Sequence, residues 1–232
     1  MRLRIAALAL LATTLSAVPA QASTQFKFLN GGTDVAFGFY VGPYNGLSGT
    51  PPNVPVTLNC VDFFHEVTNG QIWQGNISSL QTGAGVGTYT RYNDLSAYRR
   101  AAWLTTQYGV GGTSQIANIQ ATIWNLFTGT PTPPAASNAP YWANLSLAHA
   151  TDASAGFYVV TDVNKVFGAS GGTCRNVSYA AGVDNPCSVQ EFIIMDNTGS
   201  LSVVATPEPA ALALLGTGLV GLVGVNARRK KK

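Results

Sequence analysis

Both ends of the chain are apolar segments with basic residues beside them, which limits the part that can fold as a compact domain. Residues 1–22 begin with a short basic stretch, continue with an apolar run and end in Ala20-Gln21-Ala22, a pattern typical of a secretory signal peptide. Residues 210–225 are almost wholly apolar, and five consecutive basic residues follow at 228–232. The sequence therefore predicts an exported domain over residues 23–205, between a signal peptide at 1–22 and a separate segment at 206–232.

The C-terminal segment has the composition of a short membrane helix. The sixteen residues at 210–225, rising about 1.5 Å each, give roughly 24 Å of helix, slightly less than the thickness of a bilayer core. The basic tail would keep the terminus on the cytoplasmic side. In front of the apolar run stands Pro207-Glu208-Pro209.

This combination of Pro207-Glu208-Pro209, a short apolar helix and a terminal Arg/Lys cluster resembles the PEP-CTERM sorting signal of Gram-negative bacteria. The resemblance implies a surface or extracellular-matrix protein, anchored in the cell envelope or released from it. It also implies an exosortase-type sorting enzyme as a partner and contact with the membrane through the helix at 210–225.

The folding part of the chain is weakly charged and rich in turn-forming residues. Only 10% of all residues are charged, against roughly 25% in soluble domains, whereas 25 glycines and 12 prolines favour short strands and turns. Residues 23–205 contain six basic and nine acidic side chains. A nucleic-acid-binding protein usually has the opposite balance, so no nucleic-acid partner is predicted.

The hydrophobic periodicity changes from two to about 3.6 and back again along this domain. It predicts strands, of which the first two form a hairpin, at 25–29, 35–41, 56–67, 72–77, 157–163, 189–195 and 201–204. It predicts helices at 95–108 with Asp94 as N-cap, from Ser114 as N-cap to Phe127 with Gly129 as the stop, and between 141 and 149. The order predicts an α+β fold, in which a β-rich domain, a small barrel or a sandwich, carries a helical insert. A single transmembrane sorting helix follows it.

Export gives the three cysteines different predicted roles. Cys174 and Cys187 have twelve residues between them in a loop-like stretch, and they are the natural disulfide in an oxidising compartment. Cys60 is then the unpaired cysteine. It is either an inert buried thiol or a reactive group.

A glutamine motif occurs in the second predicted helix, as Ile119-Gln120-Ala121-Thr122-Ile123-Trp124. Gln120 and Trp124 are four residues apart and therefore share one side of the helix. This motif, together with Cys60, resembles the thioester domains of bacterial surface adhesins. In that family a cysteine near a strand and a glutamine in the pattern apolar-Gln-x-x-apolar-Trp form an internal thioester with loss of ammonia.

The resemblance covers roughly residues 56–127. The predicted helix with Trp103 looks like the one that precedes the glutamine in the family. Asn59 stands before Cys60 where family members usually have an aromatic residue or leucine. The resemblance implies that Trp103 and Trp124 surround the thioester.

The resemblance to thioester domains implies a function, the covalent capture of a target. An amine or a hydroxyl on a surface protein or polysaccharide would attack the carbonyl carried on Gln120 and expel the Cys60 thiolate. Each molecule would react once, so the resemblance implies an adhesin and not an enzyme.

Two other functions are compatible with the same residues. In a passive surface or matrix protein, Gln120 would be a polar residue on the helix surface, Trp124 a core residue and Cys60 a small buried hydrophobe. In a cysteine hydrolase, Cys60 would need a histidine base. His149 with Asp152 as its orienting partner is the better choice, because on a regular strand His65 would lie on the face opposite Cys60.

Cofactor and metal sites are not predicted. The two histidines are far apart and no closely spaced cysteine pair exists, so the pattern of a zinc site is missing. Asp152 and Asp162 are isolated and lack the spacing of a calcium loop.

Overall fold

The structure is a computed structural model, and it describes residues 23–110, 112–129, 138–152, 154–166, 172–174 and 177–196. The predicted signal peptide, the sorting segment and the strand at 201–204 lie outside these ranges. Within the described ranges, none of the helices combines the length and the apolar character that a membrane crossing needs.

Six antiparallel strands form a closed barrel, and three helices are inserted between its β6 and β7. The strands are β1 Ser23–Asn30, β2 Val35–Ala36, β3 Phe39–Tyr40, β4 Pro43–Ser48, β5 Val54–Cys60, β6 Ile72–Ser79, β7 Phe157–Asp162, β8 Gly172–Cys174, β9 Val177–Tyr179 and β10 Phe192–Met195. The helices are α1 Leu95–Thr105, α2 Thr113–Thr128 and α3 Ala139–Ser146, with a 3-10 turn at Leu147–His149. The barrel order is β1-β4-β5-β10-β7-β6, which confirms the β-rich domain with a helical insert and identifies it as a barrel.

The predicted opening hairpin is wrong. β1 pairs with β4 and β6, whereas β2 and β3 form a small sheet of their own, joined by a turn with positive φ at Phe37 and Gly38. The sequence pattern missed β4 because a proline and a glycine interrupt it. Gly46 is required there, since a Cβ at that position would lie 2.6 Å from Leu58 Cδ1.

Strand β5 ends at Cys60 and does not continue to residue 67 as predicted. Its last residues pair with β10, with Cys60 opposite Phe192 and Asn59 opposite Ile193. The chain leaves the ladder after a last bond from Val61 N to Glu191 O at 3.0 Å. Cys60 therefore stands at the end of a barrel strand, where the chain turns toward the helices.

The first two helices lie near their predicted positions. Asp94 caps α1, because its Oδ1 accepts from Ala97 N at 2.9 Å. Gly129 ends α2 in the left-handed conformation, as predicted. The predicted Ser114 cap is wrong, since α2 begins at Thr113 with Gly112 as its N-cap residue.

Helix α2 is the central element of the molecule, because residues 117–124 are all buried. Ala117 and Trp124 belong to the core of the barrel, whereas Ile119 and Ile123 pack with α1 and α3. A helix enclosed on all sides must satisfy its polar side chains internally. Gln120 satisfies this requirement on the barrel side, and its partners form the site described next.

Candidate functional site

The structure brings Cys60 and Gln120 together. Both residues are 0% exposed, and Gln120 Nε2 donates a hydrogen bond of 2.8 Å to the main-chain oxygen of Cys60. The end of β5 and the middle of α2 thus meet at this pair. The alternative in which Gln120 is a surface residue of the helix is wrong.

Two donors hold the carboxamide oxygen of Gln120. The Tyr108 hydroxyl donates to Gln120 Oε1 at 2.7 Å, and the main-chain N–H of Gly42 donates to the same atom at 3.4 Å. Tyr108 follows α1, and Gly42 directly precedes β4. Neither partner was predictable from the sequence, because neither belongs to a recognisable motif with Gln120.

Position 42 requires a glycine for two separate reasons. Its φ of +92° lies in the left-handed region, and a Cβ there would stand 2.8 Å from Ile116 Cγ2. The close approach of this backbone to α2 is what brings the Gly42 N–H to Gln120.

The thiol of Cys60 is enclosed and protonated. Its Sγ donates to the Asp62 main-chain oxygen at 3.2 Å. Burial raises the pKa of Cys60 to about 12; the nearby Trp124 indole works against this rise, and the nearby Asp62 charge adds to it. Such a thiol differs from the ready thiolate of a cysteine hydrolase.

Asn59 does not face the thiol. Successive strand residues point to opposite faces, and the Asn59 side chain donates to Ile193 O on β10 at 3.1 Å. Asn59, the residue that departs from the family pattern, is therefore hydrogen-bonded on the face of the barrel wall opposite the thiol.

The two predicted tryptophan neighbours of the thiol have different positions. Trp124 belongs to the same buried cluster as Cys60. Trp103 packs on the other cluster, between α1 and α3, and its ring stacks on His149 at a centroid distance of 4.1 Å. Trp124 thus lies at the thiol, whereas Trp103 lies on the outer side of the helices.

The histidines are engaged with carboxylates instead of the thiol. His149 Nδ1 lies 2.7 Å from Asp152 Oδ2, which is the pairing that the hydrolase hypothesis predicted, but its ring stacks on Trp103. His65 Nδ1 lies 2.6 Å from Asp62 Oδ2, and its Nε2 lies 3.3 Å from Asp184 Oδ2. Neither imidazole is in place to take a proton from Cys60.

A buried ionic network fixes the chain just after Cys60. The fully buried Asp62 carboxylate forms ion pairs with Arg91, at 2.9 Å between Oδ2 and Nε, and with His65. Burial alone would lower the pKa of His65, but the Asp184 and Asp62 carboxylates outweigh this effect and raise the pKa to about 9. Arg91 and His65 thus face the carboxylates of Asp62 and Asp184.

Glu191 extends this network on the β10 side. Its carboxyl accepts from Arg91 N at 2.8 Å and from the Thr161 hydroxyl at 2.5 Å, and also from the Tyr98 hydroxyl. Burial raises the pKa of Glu191, although these donors counteract the rise. The buried carboxyl thus has a partner for each oxygen, as a group in this position must.

A cavity of about 340 Å³ leads from the surface to Trp124. The rings of Phe39, Phe63 and Trp124 form its inner wall and contact each other edge to face, at centroid distances of 5.1 to 6.1 Å. His65 and Glu66 also line the cavity. Trp124 therefore both lines this cavity and packs in the buried cluster that contains Cys60.

Two further predictions concern other parts of the chain. The side chain of Cys174 lies outside the described residues, so the Cys174–Cys187 disulfide stays a prediction, whereas Cys60 is a free thiol. In the part of the chain that the structure describes, no group of three or more His, Cys, Asp or Glu side chains could hold a metal ion.

Comparison with known proteins identifies the C-terminal segment. Residues 205–230 match the PEP-CTERM protein-sorting motif, which confirms the sorting signal predicted from Pro207-Glu208-Pro209 and the residues after it. No curated protein matches the chain, and no solved structure matches it. The motif indicates a protein that is exported and sorted by an exosortase to the cell envelope of a Gram-negative bacterium.

Proposed function

We propose that this exosortase-sorted protein is a covalent adhesin, in which Cys60 Sγ and Gln120 Cδ join as an internal thioester that a target molecule opens. The observation that carries the proposal is the burial of the Gln120 carboxamide against Cys60, with Nε2 at 2.8 Å from the Cys60 main-chain oxygen. Two residues of the predicted chemistry, remote in sequence, thus share one water-free site.

The closing step is balanced without any cofactor. The sulfur of Cys60 attacks Gln120 Cδ and a C–S bond forms; the C–N bond of the carboxamide breaks, and the thiol proton leaves with the nitrogen as ammonia. A carboxamide is a poor electrophile, so this step depends on holding the two groups in place and excluding water. Both conditions are supported by the complete burial of the pair.

The opening step transfers the acyl group of Gln120 to the target. An amine or hydroxyl of the target attacks the thioester carbonyl, a C–N or C–O bond forms, the C–S bond breaks, and the proton of the nucleophile goes to Cys60 sulfur. The cavity that ends at Trp124 supplies the route, since Trp124 lines it and packs in the same buried cluster as Cys60. We propose that the target is a surface protein or polysaccharide.

This chemistry is capture and not turnover. The bond is consumed when the target is attached, so the protein is not an enzyme in this proposal. A cysteine hydrolase is disfavoured because burial raises the pKa of Cys60 to about 12 and the ring nitrogens of His65 face Asp62 and Asp184.

The intact mass of the purified exported protein tests the proposal. We expect a mass lower by one ammonia than the sequence with its disulfide requires, and no reaction of Cys60 with an alkylating reagent in the folded protein. Incubation with methylamine should add one methylamine at Gln120 and make the Cys60 thiol reactive.

Matched variants localise the bond. Cys60→Ala and Gln120→Ala should each abolish the ammonia deficit, whereas Gln115→Ala, on the same helix but bonded to Trp142 Nε1 at 3.1 Å, should retain it. A wild-type protein with the full mass and an alkylatable Cys60 would contradict the proposal, leaving a surface or matrix protein without covalent chemistry.

A further inference from the structure

We infer that Tyr108 and the main-chain N–H of Gly42 form an oxyanion site for the Gln120 carbonyl, and that Tyr108 is a catalytic residue for closing and opening the thioester. The inference rests on the proposed function and assigns it residues outside the Cys60–Gln120 motif. The two donors approach the same oxygen, at 2.7 Å from the Tyr108 hydroxyl and 3.4 Å from Gly42 N.

The need for such a site follows from the chemistry of both steps. When sulfur or an incoming nucleophile adds to the carbonyl carbon, the C=O electron pair moves onto oxygen, which carries a negative charge until the leaving group departs. Hydrogen bonds to a charged oxygen are stronger than those to a neutral carbonyl. Donors fixed at this oxygen therefore stabilise the transition state more than the ground state.

The distances fit a site that tightens during the reaction. The Tyr108 bond has normal length in the ground state, whereas the Gly42 bond is longer than the usual 2.9–3.0 Å. Oxyanion donors are best placed for the position that the oxygen occupies in the transition state. The Gly42 bond therefore has room to shorten as the carbon becomes tetrahedral.

The surroundings keep the Tyr108 hydroxyl protonated and the Gly42 N–H in place. Tyr108 is buried, and burial raises its pKa, with the nearby Cys60 adding to the rise, so its hydroxyl retains the proton that it donates. Gly42 is held by its left-handed backbone conformation and by contact with Ile116. Since water is excluded, neither donor has to be reoriented when charge develops.

The test compares Tyr108→Phe with Tyr44→Phe. Tyr44 is another buried tyrosine of the barrel core, and its hydroxyl donates to Tyr40 O at 2.8 Å instead of to Gln120. Both variants remove one hydroxyl and keep the ring. The rate of ammonia loss after refolding and the rate of methylamine addition are followed by intact mass, with thermal unfolding as a check on folding.

Tyr108→Phe should form and open the thioester about 100-fold more slowly than the wild type, the usual effect of removing one oxyanion donor. Tyr44→Phe should stay within a few-fold of the wild-type rates. Wild-type rates in Tyr108→Phe, with the ammonia deficit present in the wild type, would overturn this inference alone. A wild type without the deficit would overturn it together with the proposed function.

A second measurement does not depend on the folding of a variant. In wild-type protein labelled with carbon-13 at the glutamine carboxamide carbon, the thioester C=O stretch should lie at lower frequency than that of an equally labelled small thioester in an apolar solvent, because two donors weaken the C=O bond. Equal frequencies in the protein and in this reference would overturn the inference.

Discussion

Asp62 connects the reactive pair to the ionic network. Its main-chain oxygen accepts from the Cys60 thiol, while its carboxylate forms ion pairs with His65 and Arg91. Two residues after the strand end, the chain is therefore fixed by both main-chain and side-chain bonds. A cysteine at the end of a strand would otherwise be free to move, so this network maintains the position of the sulfur relative to Gln120.

The elevated pKa of His65 predicts a pH-dependent stability. Because the pKa rises from 6.5 to about 9 on folding, the folded state binds the proton more tightly than the unfolded state. The stabilisation is fully present below pH 6.5 and is lost as the pH rises through about 9. We expect the free energy of urea unfolding to fall by about 3 kcal/mol over this range in the wild type.

His65→Gln should remove this part of the pH dependence. The glutamine keeps a side chain that can form a hydrogen bond with Asp62 but does not titrate, so the variant should be less stable than the wild type at pH 6 and closer to it at pH 9.5. An equal slope of unfolding free energy against pH in both proteins would show that His65 is not the group responsible.

At the scale of elements, the β2–β3 hairpin forms part of the wall of the cavity that Trp124 lines. It contributes Phe39 and Tyr40 to the cavity wall, and Phe39 contacts Phe63 and Trp124 through its ring. Phe39 is 46% exposed, so the wall that it forms with Phe63 and Trp124 is open to solvent at this ring. The periodicity predicted a strand at residues 35–41, but it paired this strand with residues 25–29, which pair with β4 and β6 instead.

Phe39→Ala should widen this cavity and shorten the lifetime of the thioester. Loss of the ring removes two aromatic contacts in front of Trp124, so water and methylamine should reach the carbonyl several-fold faster. The half-life of the ammonia deficit in buffer, with and without methylamine, measures this effect.

Phe37→Ala is the control for Phe39→Ala. Phe37 belongs to the same hairpin and is 38% exposed, but it does not line the cavity. The Phe37→Ala variant should leave the half-life of the ammonia deficit close to that of the wild type. Equal acceleration in both variants would point to a general loosening of the hairpin, and no change in either would refute its role in access.

At the scale of the whole molecule, the sorting motif and the residues of the proposed thioester lie in different parts of the chain. The sorting motif occupies residues 205–230, whereas the Cys60–Gln120 pair depends on contacts between β5 and α2. Changes in one part should therefore leave the other intact. This separation allows export and bond formation to be tested independently.

Replacing Pro207, Glu208 and Pro209 by alanine should disturb sorting without affecting the domain. In a Gram-negative host with an exosortase, we expect the variant to accumulate in a different envelope fraction from the wild type, while its intact mass shows the same ammonia deficit. Fractionation followed by mass spectrometry measures both. An unchanged distribution would contradict a role of this motif in sorting.

The sequence alone determined the features that depend on local composition or on short spacings. The sorting motif, the start of α1 at Asp94 and the end of α2 at Gly129 were predicted correctly, because each depends on residues within a few positions of each other. The strand-rich body with its helical insert was also predictable, since periodicity is a local property.

The family resemblance predicted that Cys60 meets Gln120, but only the tertiary structure showed that Tyr108 and Gly42 meet it as well. Cys60 is 60 residues away from it and Gly42 is 78 residues away, and no local pattern encodes that β4 follows the small hairpin or that Tyr108 turns back toward α2. These contacts depend on the register of a closed barrel and on a helix buried inside the molecule. Packing of the whole chain fixes both of them at once.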